Sequence, residues 1–172
     1  MATAVPSPVD LVRGAGRSAY HLEMRDGYMR SDPWFVAWRE GRAEDFQQRK
    51  ARPWLDLIRE VTARGVEVRR LRIVSEPVSE YIRFEYDTTA SNVEAGERIR
   101  WLPRRRASDL ALPGNDCWII DGETVLFNHF TGEGEVSPEG KELTTDPAVV
   151  KLCVTGFDSG WERGIDHEEY RI

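Results

Sequence analysis

RPWLDLIREVTARGVEVRRLRIV, residues 52–74, is the stretch whose reading decides the fold. Trp54, Leu55, Ile58, Val61 and Thr62 fall at i, i+1, i+4, i+7 and i+8, one apolar stripe along a helix. Gly65 is its C-terminal stop. VEVRRLRIV (66–74) follows and is rich in β-branched residues, so it reads as a strand. Its apolar parity changes between Val68 and Leu71, which predicts either a bulge or a strand covered on both faces. Long helices feeding apolar strands imply a mixed sheet with helices on its faces.

The same logic extends in both directions. Residues 1–16 read as an arm and a short helix, capped by Ser7 with Pro8 at its first position and ended by Gly14 and Gly16. In SAYHLEM, Tyr20, Leu22 and Met24 alternate with His21 and Glu23, the period of a strand, and His21 is expected at its surface. Asp26-Gly27 is a turn signal, and Ser31-Asp32-Pro33 opens a second short helix that presents Trp34, Phe35 and Trp38 and stops at Gly41. Residues 42–52 are charged and lack periodicity, as in a linker or solvated extension. Downstream, Ile82, Phe84 and Tyr86 alternate as in a strand. Val78, Tyr81, Ile82 and Glu85 keep helical spacing between Pro77 and Gly96, and the helix is the favoured reading. ERIRWLP is a strand and RRRASDLALPGN a loop. DCWIID and TVLFNHF are strands joined in hairpin fashion by Asp121-Gly122. GEGEVSPEGKE reads as a turn-rich acidic loop. Asp146 and Pro147 start a last helix striped by Val149, Val150, Cys153, Val154, Phe157 and Trp161.

The expectation is a single α/β domain over residues 17–165, with a central mixed sheet and helices on its faces. A C-terminal tail follows over 166–172, with His167 in solvent. Helices 53–64 and 147–162 should pack on a sheet containing 66–74, 97–102 and 116–121, with Trp54, Ile58, Ile73, Ile119, Phe157 and Trp161 in one core. The 172 residues, 40% hydrophobic and 31% charged, have the length and composition of one globular domain. Cys117 and Cys153 lie in apolar runs and read as buried free thiols, with a disulfide pair the alternative. MATAVPSPVD has neither the basic nor the apolar region of a signal peptide, and no apolar run is long enough to span a membrane, so a cytoplasmic setting is expected.

The net charge of −6 is uneven: residues 111–172 hold 4 basic and 13 acidic groups, and the remaining basic groups precede them. Arg69, Arg70, Arg72, Arg98, Arg100, Arg104, Arg105 and Arg106 cluster along the chain. If the strands at 66–74 and 97–102 are neighbours, alternate Arg side chains can line one side of the sheet and hold a phosphate, a carboxylate ligand or an acidic partner. Pairing with local Glu, or exposure to water, is the competing reading. Glu76, Tyr81, Arg83 and Glu85 surround the Ser75-Glu76-Pro77 turn at the end of a strand, where open α/β sheets bind ligands. The candidate ligand or partner site is therefore Arg70, Arg72, Glu76, Tyr81, Arg83 and Arg100, and His129 is the catalytic candidate should the protein be an enzyme. The scattered His and Cys give no metal spacing, there is no phosphate-binding Gly loop and no nucleophile motif, and no cofactor is expected. A protein partner or a small anionic ligand fits these residues. A sequence pI of about 5.2 argues for weak or no nucleic-acid binding, no membrane is implied, and self-association is left open.

RGVEVRRLRIVSEP, NVEAGERIRWLPR, DCWIIDGETVLF and DPAVV…FDSGWERG together resemble an uncharacterised actinobacterial family, a domain of unknown function. Its members carry Ser-Glu-Pro after the central strand, Ala-Gly-Glu-x-Ile-Arg before the next, and an apolar stretch ending in Asp. The likeness runs from about Ala19 to Trp161. Genes of that family often lie near helix-turn-helix regulators, which implies a regulatory role. More distantly, the C-terminal two-thirds is similar to the phospholipase-D-like sensor half of some bacterial transcription regulators, which implies a phospholipase-D-like half fold. Phospholipase D catalysis needs a His-x-Lys pair, whereas here the three histidines read His21-Leu22-Glu23, His129-Phe130-Thr131 and His167-Glu168-Glu169. The resemblance thus implies a non-catalytic version, a regulatory or binding module. The alternatives are an enzyme acting on a phosphodiester or other anionic substrate through the Arg cluster and His129, and a nucleic-acid-binding accessory protein.

Overall fold

The structure is a computed structural model describing residues 5–42 and 52–172. Local signals set the ends of most elements. Ser7 and Asp10 form a reciprocal capping box on α1 (Pro8–Gly14). β1 (Ser18–Glu23) follows, and Asp32 caps α2 (Pro33–Arg39). α3 (Pro53–Ala63) buries Leu55, Leu57, Ile58 and Val61, and Gly65 takes φ +88° just beyond its end before β2 (Glu67–Val74). The ambiguous stretch is α4 (Glu80–Glu94): Ser79 accepts from the Ile82 N–H, and Tyr81, Ile82, Phe84, Glu85 and Thr89 form its buried face. β3 (Arg98–Pro103) leads into a 3₁₀ turn (Arg104–Arg106). β4 (Cys117–Ile120) and β5 (Thr124–Phe130) are joined through Asp121 and Gly122, at φ 55° and 70°. The Asp121 carboxylate accepts from the backbone N–H groups of Gly16, Arg17 and Ser18, fastening this hairpin to the entry of β1. β6 (Val136–Thr144), α5 (Pro147–Arg163, capped by Asp146) and β7 (Ile165–Asp166) complete the chain.

The strands form one seven-stranded mixed sheet in the order β6-β5-β4-β1-β2-β3-β7. β1, β2 and β3 are parallel, and β4, β5, β6 and β7 pair antiparallel to their neighbours. The parity change in β2 is not a bulge, because its register runs unbroken against β1 and β3. Both faces of the strand are covered. Val68 packs with Val12, Leu55, Ile58, Trp118 and Leu126 under α1 and α3, while Leu71 and Ile73 pack with Leu22, Leu102, Ile119, Phe157 and Trp161 under α5.

Several expectations are corrected here. The six residues assigned to one core divide between two: Trp54 and Ile58 belong to one face, and Ile73, Ile119, Phe157 and Trp161 to the other. The turn-rich acidic segment contains β6, an edge strand with only one neighbour. Pro138 and Gly140 fall in the irregular stretch between Val136, opposite Phe130, and Lys141, opposite Asn128, where no register partner is lost, and the charged side chains suit an edge. Residues 166–172 are not a solvated tail. Tyr170 is buried and stacks on Trp101, its hydroxyl donates to Glu76, and His167 Nδ1 accepts from the Trp101 indole N–H. Of the segment read as a linker, residues 43–51 lie outside the described residues. Cys117 and Cys153 are buried and free. No helix among the described residues is long and apolar enough to cross a membrane.

α5 lies close to the sheet and to the loop before β4 because two of its residues lack side chains. A Cβ at Gly160 would come within 2.6 Å of Leu71 Cδ2, and one at Gly156 within 2.8 Å of the Ala111 carbonyl oxygen. Backbone cannot yield as a side-chain tip can. We therefore expect Gly156→Ala, although alanine favours helix, to destabilise the protein by about 1–3 kcal/mol through overpacking. Urea unfolding measures this, and an unchanged midpoint would show that the helix shifts freely.

Candidate functional site

Strand parity gathers the site. On the face under α3 and α4, His21 stands opposite Arg70 and Trp118, and Glu23 opposite Arg72. The Glu23 carboxylate bridges two guanidinium groups, Oε1 accepting from Arg70 Nη1 at 2.7 Å and Oε2 from Arg72 Nε at 2.6 Å. Arg70 Nε donates to Glu97 at 2.7 Å, and Glu97 also accepts from Asn92 at 2.8 Å. Arg72 Nη1 donates to Thr89 at 2.6 Å, its Nε lies 3.5 Å from Glu85, and its guanidinium stacks over Trp101. Arg70, Arg72, Glu23, Glu85 and Glu97 are all buried. Burial opposes the charge on each member, and the partners overcome it: Arg70 and Arg72 hold the Glu23 carboxyl far below its usual range, while Glu23 and Glu97 hold the Arg70 guanidinium protonated.

Beside this network lies a cavity of about 260 Å³ lined by His21, Arg52, Trp54, Arg70, Arg72, Thr88, Asn92 and Trp118 among others. The His21 ring stacks on Trp118 with centroids 4.0 Å apart. Its Nδ1 is 3.4 Å from Glu23 Oε1 without completing a hydrogen bond, and burial lowers its pKa to about 3, so the ring is neutral. Arg52, at the start of α3, forms no ion pair with a described residue, and its buried Nε has no hydrogen-bond partner. Burial, then the neighbouring Arg70, lowers its pKa. The cavity is thus lined by three guanidinium groups and by the Glu85 carboxylate, and a compact oxyanion is the complement of its guanidinium side.

The candidate residues separate. Arg70 and Arg72 line this cavity. Arg100 is on the other side of the sheet, donating to Asp166 and to the Trp161 carbonyl with its guanidinium over the Trp161 ring; alternation along β3 places it there. Glu76 accepts from Tyr170, and with Arg105 lines a separate pocket at the strand ends. Tyr81 is buried in an aromatic cluster with Tyr28, Phe35 and Phe84. Arg83 is exposed on α4. His129 lies on β5 beside Glu142 of the edge strand and does not line the cavity. His21, expected at the strand surface, is instead enclosed against Trp118 because β1 is a central strand, and Glu23, Arg52, Asn92 and Glu97 escaped the sequence reading. A signal existed: a strand covered on both faces that carries two arginines requires buried carboxylates opposite them. Among the described residues no group of three or more His, Cys, Asp or Glu side chains could hold a metal ion.

Solved structures place this architecture. The phospholipase D family member Nuc from Salmonella typhimurium superposes with a TM-score of 0.51 at 14% identity, over 96% of this chain and 89% of that one. NucT from Helicobacter pylori matches with a TM-score of 0.52 at 13% identity, over 93% and 88%. The protein is thus an α/β domain of phospholipase-D-like fold. It belongs to the family described as "Domain of unknown function (DUF6879)", whose model matches residues 8–172. A search of curated proteins found no match.

Removing the Glu23 charge leaves two guanidinium groups buried and underpaired. Glu23→Gln should therefore cost about 3–5 kcal/mol, read as a lower urea midpoint with unchanged slope. An acid titration separates two further groups. His21 titrates at about 3 folded against 6.5 unfolded, so its contribution is complete above pH 6.5 and is lost as pH falls toward 3. Asp116 has the opposite sign. Burial raises its pKa to about 6 from 3.8, against the hydrogen bond from Tyr28, so stability is gained as pH falls from about 6 toward 3.8. Between pH 6 and pH 4, His21→Phe should lose less stability than wild type and Asp116→Asn more, each by up to about 1.4 kcal/mol per pH unit. Parallel curves for all three proteins would refute both assignments.

Proposed function

We propose that this protein is a non-enzymatic binding module that takes a small oxyanion into the cavity over β1 and β2. The observation that carries the reading is Arg52, a half-buried guanidinium without an ion-pair partner among the described residues, beside Arg70 and Arg72, whose Nη2 groups make no hydrogen bond to a described residue. A partly buried cation that Asp32 and Glu97 offset only from a distance is costly unless something completes it, and an anion does so. At about 30 Å³ per water-sized volume, the space suits a ligand on the order of ten non-hydrogen atoms. In the finer form of this reading, the bound state is reported to a protein partner. That partner is a helix-turn-helix regulator if the family resemblance holds, in a reducing cytoplasm where Cys117 and Cys153 stay free. Nucleic acid is disfavoured because the clustered arginines divide between opposite faces and are largely matched by carboxylates.

The test is titration of inorganic phosphate and of acetate into the full chain, followed by calorimetry and by thermal unfolding, since a ligand selective for the native state raises its stability. At least one anion should bind, and Arg52→Gln, which breaks no ion pair seen here, should fold normally and bind it tenfold or more weakly. No binding, or equal binding by the variant, would refute the proposal, as would tight, salt-sensitive association with duplex DNA.

A further inference from the structure

We infer that the ligand of this cavity carries a hydroxyl group beside its oxyanion, and that the hydroxyl donates a hydrogen bond to Nε2 of His21. The inference rests on the anion-binding reading above and adds the ligand's second functional group.

The argument is one of donors and acceptors. Arginine presents N–H groups and no acceptor, so Arg52, Arg70 and Arg72 can hold an anion but cannot accept from a ligand hydroxyl. His21 supplies the opposite polarity. Its Nδ1 lies 3.4 Å from Glu23 Oε1, close enough to feel that charge although the hydrogen bond is not completed. That carboxylate is kept ionised by Arg70 and Arg72. A ring nitrogen facing an anionic oxygen retains its proton, because a lone pair there would be repelled. In a neutral imidazole the other nitrogen is then a bare acceptor. Nε2 makes no hydrogen bond among the described residues, and His21 lines the cavity. The ring is held in plane against Trp118 at an interplanar angle of 13°, so it does not turn away without losing that stack.

Nearby hydroxyls do not serve as the missing donor. Thr88 Oγ1 donates to the Phe84 carbonyl and Thr89 Oγ1 to the Glu85 carbonyl, both turned back onto α4. The amide of Asn92 donates to Glu97. Nε2 is not among the buried unpartnered atoms and His21 lines the cavity, so a ligand hydroxyl next to the oxyanion can donate to it while the guanidinium groups hold the charge. A site built to accept from a hydroxyl discriminates strongly against the analogue that lacks one.

Two matched pairs test this by calorimetry on the full chain at neutral pH: lactate (both enantiomers) against propionate, and glycerol 3-phosphate against propyl phosphate. The hydroxylated member of at least one pair should bind at least tenfold tighter, and the pair concerned identifies carboxylate or phosphate as the anion. His21→Phe, which keeps the stack on Trp118, should bring the two members of that pair to equal affinity. Long-range ¹H–¹⁵N correlation of the wild-type ring should place its proton on Nδ1, a result that stands whether or not the variant folds. Anions that bind through Arg52 with no preference for the hydroxyl would overturn this inference and leave the anion-binding reading intact. Failure of phosphate, acetate and all four probes to bind would overturn both. A proton on Nε2, or an imidazolium at neutral pH, would overturn the hydroxyl inference by itself.

Discussion

The carboxylate of Glu23 is the atom group on which the rest of the structure depends. It ends β1, and its two oxygens tie together two arginines of β2 that parity forces under the helical layer. Without it the sheet would hold two underpaired cations away from water, at a cost that is a large share of the stability of a domain this size. Glu97 from the turn before β3, and Thr89 and Glu85 from α4, extend the network into the neighbouring elements. The same bonds that neutralise the arginines thus locate α4 and the start of β3 relative to β1.

This placement divides one face of the sheet. Under α1 and α3 the packing is aliphatic, with Leu55, Ile58, Val61 and Val68. Toward β3 it is aromatic, with Trp101 and Tyr170. The charged network lies between, and the cavity opens beside it because long guanidinium groups tied to carboxylates fill space less completely than interdigitating aliphatic chains. The opposite face, under α5, has an apolar centre fringed by Arg69 and Arg100 around Trp161, and the helix lies close enough that glycine is required at two positions. The buried charges are therefore concentrated on one face of the sheet, while both faces carry apolar cores.

Much of the fold was legible because its signals are local. Helical spacing over Trp54–Thr62, the Asp146-Pro147 start, the Asp121-Gly122 turn and the two-sided burial of β2 each depend on a few neighbouring residues, and each reading agrees with the structure. The fold class follows from their order. Features decided by distant partners were less legible. β6 is a strand because β5 lies beside it, against its own turn-like composition, and residues 166–172 dock because Trp101 offers Tyr170 a surface. The site was half visible: Arg70 and Arg72 stand out as charges in a buried strand. Arg100 looks equivalent in one dimension and is separated from them by the pleat alone. His21 and Glu23 have the alternation of a solvent-facing edge, and only the position of β1 in the middle of the sheet turns that polar side inward.

That position has a kinetic consequence. β1 is the first strand of the chain, yet it is flanked by β2 and by β4, with Ala19 opposite both Val68 and Ile120. Two long loops must close before it can be seated, the kind of non-local pairing that slows folding. During that search a slip of one residue would turn every side chain to the other face. Leu22 would then face the guanidinium groups, and Glu23 would enter the apolar layer beneath α5. Both errors strand charge in a dry interior, so the misregistered sheet lies far above the native one in free energy. The buried ion network thereby acts as a proofreading device for strand register, rejecting wrong alignments that a purely aliphatic β1 would tolerate.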